Sequence, residues 1–254
     1  MRILSPLGAF AEGRRHGEEA LRLATLEGRG ATPITVHACL GLLYLAQGDL
    51  EHAIRLLEQG QAFCRTSDHR VWLPGFAAGL GAAYALQGRL AEGRALLEEA
   101  ISDSVRTGVR NAYWVTRLSE VCRLAGHREE AWQHARQALD LARQQKARGH
   151  EARALHQLGV VQAHAHPPDV AQAEAHYQQA RTLAEELGMR PLQAHCYLGL
   201  GTLYAKAGQW AQARTALVTA IELYRAMEMT CWLPQAEAAL AQIGEAERPA
   251  GGVP

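Results

Sequence analysis

Histidines and cysteines are the residues of this sequence best suited to chemistry, and their spacing decides how much they can do. His164 and His166, with His176 downstream, are metal-ligand types, but a closed site needs three or four ligands converging on a rigid frame. The pair stands beside Pro167 and Pro168, and only Asp169 is placed to add an oxygen, so a solvated turn is expected there rather than a metal centre. Cys39, Cys122 and Cys196 fall at packing positions, with no histidine at a recurring partner distance. They read as buried, inert thiols rather than nucleophiles. The sequence holds no phosphate-cradling Gly-x-x-x-x-Gly-Lys-Ser/Thr, no Gly-x-Ser-x-Gly elbow and no His-Glu-x-x-His pair. The expectation is therefore a chain that is not an enzyme, with no catalytic residues, cofactor or metal. Trp72, Trp114 and Trp232 stand at the starts of helical stretches and read as packing between units, with a ligand-facing role as the alternative. Trp132 and Trp210, early in the following stretches, read as packing within a unit.

The elements that carry these residues follow from composition. The 254 residues are rich in Ala and Leu, with only 3 Phe, and 48% are hydrophobic. Small helix-formers with few bulky β-formers favour helices packed at close range. Charge is balanced, 26 Lys+Arg against 26 Asp+Glu, which excludes a broad basic field for nucleic acid or an anionic membrane. Five widely spaced cysteines with no Cys-x-x-Cys pair suggest reduced thiols and a cytoplasmic location. The N-terminus is interrupted by charge too early for a signal peptide, and no apolar run reaches the ~18–20 residues that span a bilayer.

Internal similarity organises the whole chain. Leu-Gly, an aromatic three residues on, a Gly four later and a small residue five beyond recur as Leu40-Gly41, Tyr44, Gly48, Ala53, then as Leu80-Gly81, Tyr84, Gly88, Gly93. The pattern returns as Leu118-Ser119, Cys122, Gly126, Ala131, as Leu158-Gly159 with Ala173 and Tyr177, and as Leu200-Gly201, Tyr204, Gly208, Ala213. The small residue after each Leu stands at 41, 81, 119, 159 and 201, intervals of 40, 38, 40 and 42. Gly or Ser there lets two helices approach closely. The second Gly ends the first helix in the left-handed conformation, and acidic residues then open a second helix. Each unit is a helical hairpin that cannot bury its own apolar face, so neighbours must stack. Ala11–Ala20 parallels Ala91–Ala100, which predicts a partial unit at the N-terminus with an exposed face and a chain that begins inside a repeat, as the C-terminal part of a longer protein would. Cys231-Trp-Leu-Pro234 copies Val71-Trp-Leu-Pro74 and predicts one closing helix.

These motifs resemble the tetratricopeptide repeat over about residues 8–245, in a long-period form. The resemblance implies an all-α, right-handed α-α superhelix of about five hairpins. The expected units are a partial 8–28, then 33–66, 72–107, 110–146, 150–188 and 191–228, a closing helix 231–245 and a disordered tail 246–254. Similar arrays end LuxR-like activators and adenylate cyclase-type signalling ATPases, which implies an ATPase or cyclase domain in the same parent protein. In the family the first helices line a concave groove. Here that places Tyr113, Thr116, Glu120 and Arg123 in the groove from the third unit, Arg153, His156 and Val160 from the fourth, and His195, Leu198 and Thr202 from the fifth. Thr35, Ala38, Leu42, Ala78, Ala82 and Ala85 make a bland N-terminal half. Arg123 and Arg153 have the planar fork that grips a carboxylate or phosphate, unless they pair with Glu120. The chaperone-tail clamp of this family is not implied, since no Asn stands among Leu42, Ala82, Glu120, Val160 and Thr202. The implied function is a scaffold binding a protein or peptide segment in the groove, without direct nucleic-acid or membrane contact. The alternative is an effector sensor closing on a small molecule.

Overall fold

The computed structural model describes residues 4–27, 31–67, 69–106, 108 and 110–246. Among them are thirteen α-helices and no strand: α1 (Leu4–Leu7), α2 (Phe10–Glu27), α3 (Thr32–Gln47), α4 (Leu50–Thr66), α5 (Leu73–Leu86), α6 (Leu90–Arg106), α7 (Ala112–Leu124), α8 (Arg128–Gln144), α9 (Arg148–Ala163), α10 (Val170–Glu186), α11 (Arg190–Lys206), α12 (Trp210–Ala226) and α13 (Leu233–Ala246). The predicted tail, apart from Ala246, lies outside the described residues.

Local sequence sets these boundaries. Asp49 and Asp169 cap α4 and α10, accepting from His52 N (3.2 Å) and Gln172 N (3.1 Å), and Asn111 caps α7. Pro33, Pro74 and Pro191 occupy first turns, where a missing N–H costs nothing. Gly48 ends α3 with φ 93°, its N–H bonded to the carbonyls of Tyr44 and Leu45. Glycines with positive φ also stand at 88, 126 and 208, as the spacing predicts.

Consecutive helices pair as five hairpins, α3–α4 to α11–α12, with α1–α2 before them and α13 after. In the second hairpin the seam is backbone on backbone: a Cβ on Gly81 would lie 2.7 Å from Gly93 O, and one on Gly93 would lie 2.6 Å from Gly81 O. In the third hairpin Ser119 replaces that Gly and donates to Ala131 O at 2.6 Å, so its hydroxyl is satisfied at the same close approach. The repeat's aromatic position ties three of the five hairpins to the outer helix before them. Tyr44, Tyr84 and Tyr204 each donate at 2.8 Å to a glutamate of the preceding outer helix, respectively Glu18, Glu58 and Glu174. Stacking buries an Ala- and Leu-rich core in the α–α superhelix expected from the repeat.

The expected exposed face at the N-terminus is absent, because the two ends of the row meet. α1 lies against α11 as well as α3, and Phe10 of α2 shares an apolar cluster with Leu43, Met227 and Met229. A Cβ on Gly8 would sit 2.3 Å from Met227 Sδ, and one on Gly48 would sit 2.5 Å from Cys231 Cβ. Both glycines also have positive φ (77° and 93°), so two separate constraints require Gly at this seam. Arg14 bridges the ends electrostatically, donating to Gln47 Oε1 (2.5 Å) and Glu228 Oε2 (2.8 Å). Ala78, Ala82 and Ala85, expected in the groove, are buried in the core instead.

Candidate functional site

Closure of the row turns the concave face into a chamber of about 280 Å³. Its polar wall comes from one stripe of α7, Tyr113, Thr116, Arg117 and Glu120, spaced i, i+3, i+4, i+7, and from His150, Arg153 and His156 of α9 with His195 of α11. The other wall is apolar: Pro6 of α1, Leu42 and Leu45 of α3, and Leu86 of α5, with Trp232 beside them. Six of the ten residues expected in this half of the groove therefore meet here, Tyr113, Thr116, Glu120, Arg153, His156 and His195, whereas Val160 and Leu198 do not reach it. Arg123 and Thr202 do not line it. They continue the same stripes toward the far helix ends, where Arg123 Nε is buried without a hydrogen-bond partner and Thr202 donates to Leu198 O at 2.8 Å. Of the expected apolar half, only Leu42 reaches the chamber.

The sequence reading passed over Arg117, although it lies four residues from Tyr113 on the same helical stripe. Its guanidinium donates to Glu120 Oε2 (2.7 Å) and to Tyr113 Oη (3.0 Å). Burial alone would raise the Glu120 carboxyl, but Arg117 overcomes this and holds it below the usual carboxylate range. So the Glu120 partner expected for Arg123 or Arg153 is Arg117 instead. Thr116 spends its hydroxyl on Ala112 O at 2.9 Å. Arg153 makes no hydrogen bond or ion pair with any described residue; its guanidinium lies 5.6 Å from the Tyr113 ring centroid. Burial pushes it below the ordinary arginine value, Tyr113 opposes this and Arg117 adds to it, yet an arginine stays charged.

The two chamber histidines are neutral at pH 7. Burial pushes His156 down to about 4, against Glu120 and with Arg153 and Arg123 adding to the fall. Burial also takes His195 well below its usual value, with His156, Arg117 and Arg153 reinforcing it. His195 Nδ1 sits 2.7 Å from Tyr224 Oη, and its ring meets Trp232 edge-on at 4.8 Å. Unfolded histidine titrates near ~6.5, so between there and about 4 the unfolded chain binds protons that the folded chain refuses. Stability is full above that window and falls as pH drops through it, by up to about 1.4 kcal/mol per pH unit for each histidine. Urea midpoints measured from about pH 7 down to about pH 5 should fall, and fall less steeply in His156→Gln/His195→Gln. A flat profile in the parent protein would show these rings to be freely protonated.

The remaining chemistry-bearing residues are occupied structurally. Asp169 caps α10, His164 Nδ1 lies 2.8 Å from Val160 O, and His176 Nδ1 lies 2.7 Å from the Gln162 amide. Cys122, Glu130 and His134 bring possible ligand atoms within 4.8 Å of one another. However, Glu130 is held by Arg94 at 2.6 Å, and burial raises the Cys122 thiol, which disfavours a metal-binding thiolate. Cys122 and Cys196 are fully buried, whereas Cys39 lines the chamber. Trp72 and Trp114 pack against the core, but Trp132 does not bury as expected: it is 40% exposed, with Arg136 over its ring at 5.5 Å. No described helix is long and apolar enough to cross a membrane.

Comparison with known proteins agrees with this architecture. Family models described as tetratricopeptide repeat match residues 77–107 and 151–226. No curated protein matches the chain by sequence. Among solved structures, a Rap protein complexed with competence and sporulation factor superposes with a TM-score of 0.71 at 16% identity, covering 86% of this chain and 64% of that one. BtubC from P. vanneervenii gives 0.57 at 20% identity, covering 90% and 93%. A signal transduction ATPase with a tetratricopeptide repeat sensor, from Pyrococcus horikoshii, gives 0.59 at 16% identity, covering 85% of this chain and 33% of that one. At these identities the likeness concerns fold alone. The chain thus carries tetratricopeptide repeats at 77–107 and 151–226, within a row of five like hairpins.

Proposed function

We propose that this chain is a recognition domain without chemistry of its own, holding a small effector molecule in the inner chamber. The observation that carries the reading is the meeting of the two ends. It narrows a groove open along its length to a partly open pocket of about 280 Å³, just below the ~300–1,000 Å³ typical of small-molecule sites. A protein segment laid along the whole inner face is the reading implied by the repeat alone, and the meeting of the ends leaves it less room than an open row would. The Rap neighbour, solved with competence and sporulation factor, supports ligand recognition by this fold only as an analogy. By the same analogy with the sensor-bearing ATPase, the domain would report occupancy to a larger cytoplasmic signalling protein.

Ligand in the chamber must touch His156 and His195, so their imidazole NMR signals are the direct readout. A chemically mixed set of small metabolites should contain members that shift both signals and raise Tm by mass action. Saturable binding of extended peptides with both signals unmoved would reject the chamber in favour of another surface.

A further inference from the structure

One charge in the chamber, that of Arg153, has no hydrogen-bond or ion-pair partner among the described residues. Arg117 and Glu120 neutralise each other at 2.7 Å, and the same arginine also reaches Tyr113. Arg153 faces the same space half-buried, with the Tyr113 ring centroid 5.6 Å away and no carboxylate paired to it among the described residues. A cation away from water without a counter-charge is costly, and the protein relieves it nowhere else. The wall from α1, α3 and α5 offers no charged side chain. Leu42, on that wall, leaves 36% of its surface uncovered although it belongs to an inner helix. Polar demand and apolar demand thus sit in one small space.

Resting on the reading of the chamber as a small-molecule site, we propose that its ligand is an organic monocarboxylate with a short apolar chain. The carboxylate pairs bidentately with the Arg153 guanidinium, whose fixed fork of N–H donors matches two carboxylate oxygens. The hydrocarbon end covers Leu42 and Leu45. The excess of a single guanidinium selects a monoanion over a phosphate dianion, which would need a second unpaired positive group; Arg123, whose buried Nε has no partner among the described residues, does not line the space. His156 and His195, neutral near pH 7, add no further charge.

The test uses hexanoate, hexanamide and inorganic phosphate as probes on the full chain, read by Tm and by the His156 and His195 signals. Hexanoate is expected to raise Tm and shift both histidines, while hexanamide and phosphate bind at least about tenfold more weakly, the cost of losing one charged hydrogen-bonded partner. Arg153→Gln should abolish the preference for hexanoate over hexanamide without lowering the ligand-free Tm, since it removes an unpaired charge. Arg153→Lys keeps the charge without the fork and should fall between the two. Equal binding of hexanoate and hexanamide, or an unchanged preference in Arg153→Gln, would overturn the carboxylate while leaving the chamber reading intact. Probes that bind without moving either histidine, or no response to any probe, would overturn the carboxylate. Only the first of these also counts against the chamber.

Discussion

Phe10→Ala lowers the stability of the whole chain by about 3–5 kcal/mol, the cost of truncating a fully buried aromatic. The size of this effect is diagnostic because of where Phe10 lies. It opens α2, next to the start of the described chain, where an open row of hairpins would leave its face in water and truncation would cost little. Instead Phe10 is 1% exposed, in one apolar cluster with Leu43 from the first hairpin and Met227 and Met229 from the turn before α13. The alanine variant loses contacts to both ends of the row at once. Urea unfolding followed by circular dichroism measures the loss, and small-angle scattering should show expansion if the seam parts. A loss below about 1 kcal/mol would place Phe10 on a free end.

The second large effect is at the chamber wall. Arg117→Met strands the Glu120 carboxylate without its cation, and breaking a buried pair from one side costs about 3–5 kcal/mol. Both side chains retain about a fifth of their surface, 19% and 22%, so the lower end of that range is expected. The loss should shrink on acidification, because a Glu120 without Arg117 is raised by burial and protonates before the unfolded carboxyl does. Arg117→Met/Glu120→Met should recover most of the stability, since an apolar pair of similar volume needs no counter-charge. If the double variant is as unstable as the single one, the pair is not what holds α7 in place.

Local features of the fold were written in the sequence at fixed offsets. Gly48, Gly88, Gly126 and Gly208 turn the chain where the repeat places them, because a left-handed cap is a one-residue requirement. Six groove residues were legible because helical periodicity assigns a face without knowledge of neighbours. Arg117 stands on that same stripe as the i, i+4 partner of Tyr113, a position that the offsets from the packing Leu-Gly pair do not include. Closure was not legible. It depends on the small rotation between successive hairpins, summed over five of them, and no single residue encodes that sum. Gly8 and Gly48 need a hydrogen in place of a Cβ at the seam, but the need arises from Met227 and Cys231, far along the chain. Trp132 misled for the opposite reason: a tryptophan early in an outer helix fits burial, but no neighbour covers the indole fully.

Everything functional here rests on the two ends touching. The most direct measurement is the distance between spin labels at Arg15 and Thr230, attached through ketone-bearing unnatural residues so that the five native thiols are left alone. These exposed positions flank the Arg14–Glu228 ion pair of 2.8 Å, so a single short, narrow distance distribution is expected. Five hairpins in an open row, with ~8–10 Å between packed helices, would instead set the labels on the order of 50 Å apart. A long or broad distribution would contradict closure, and with it the chamber.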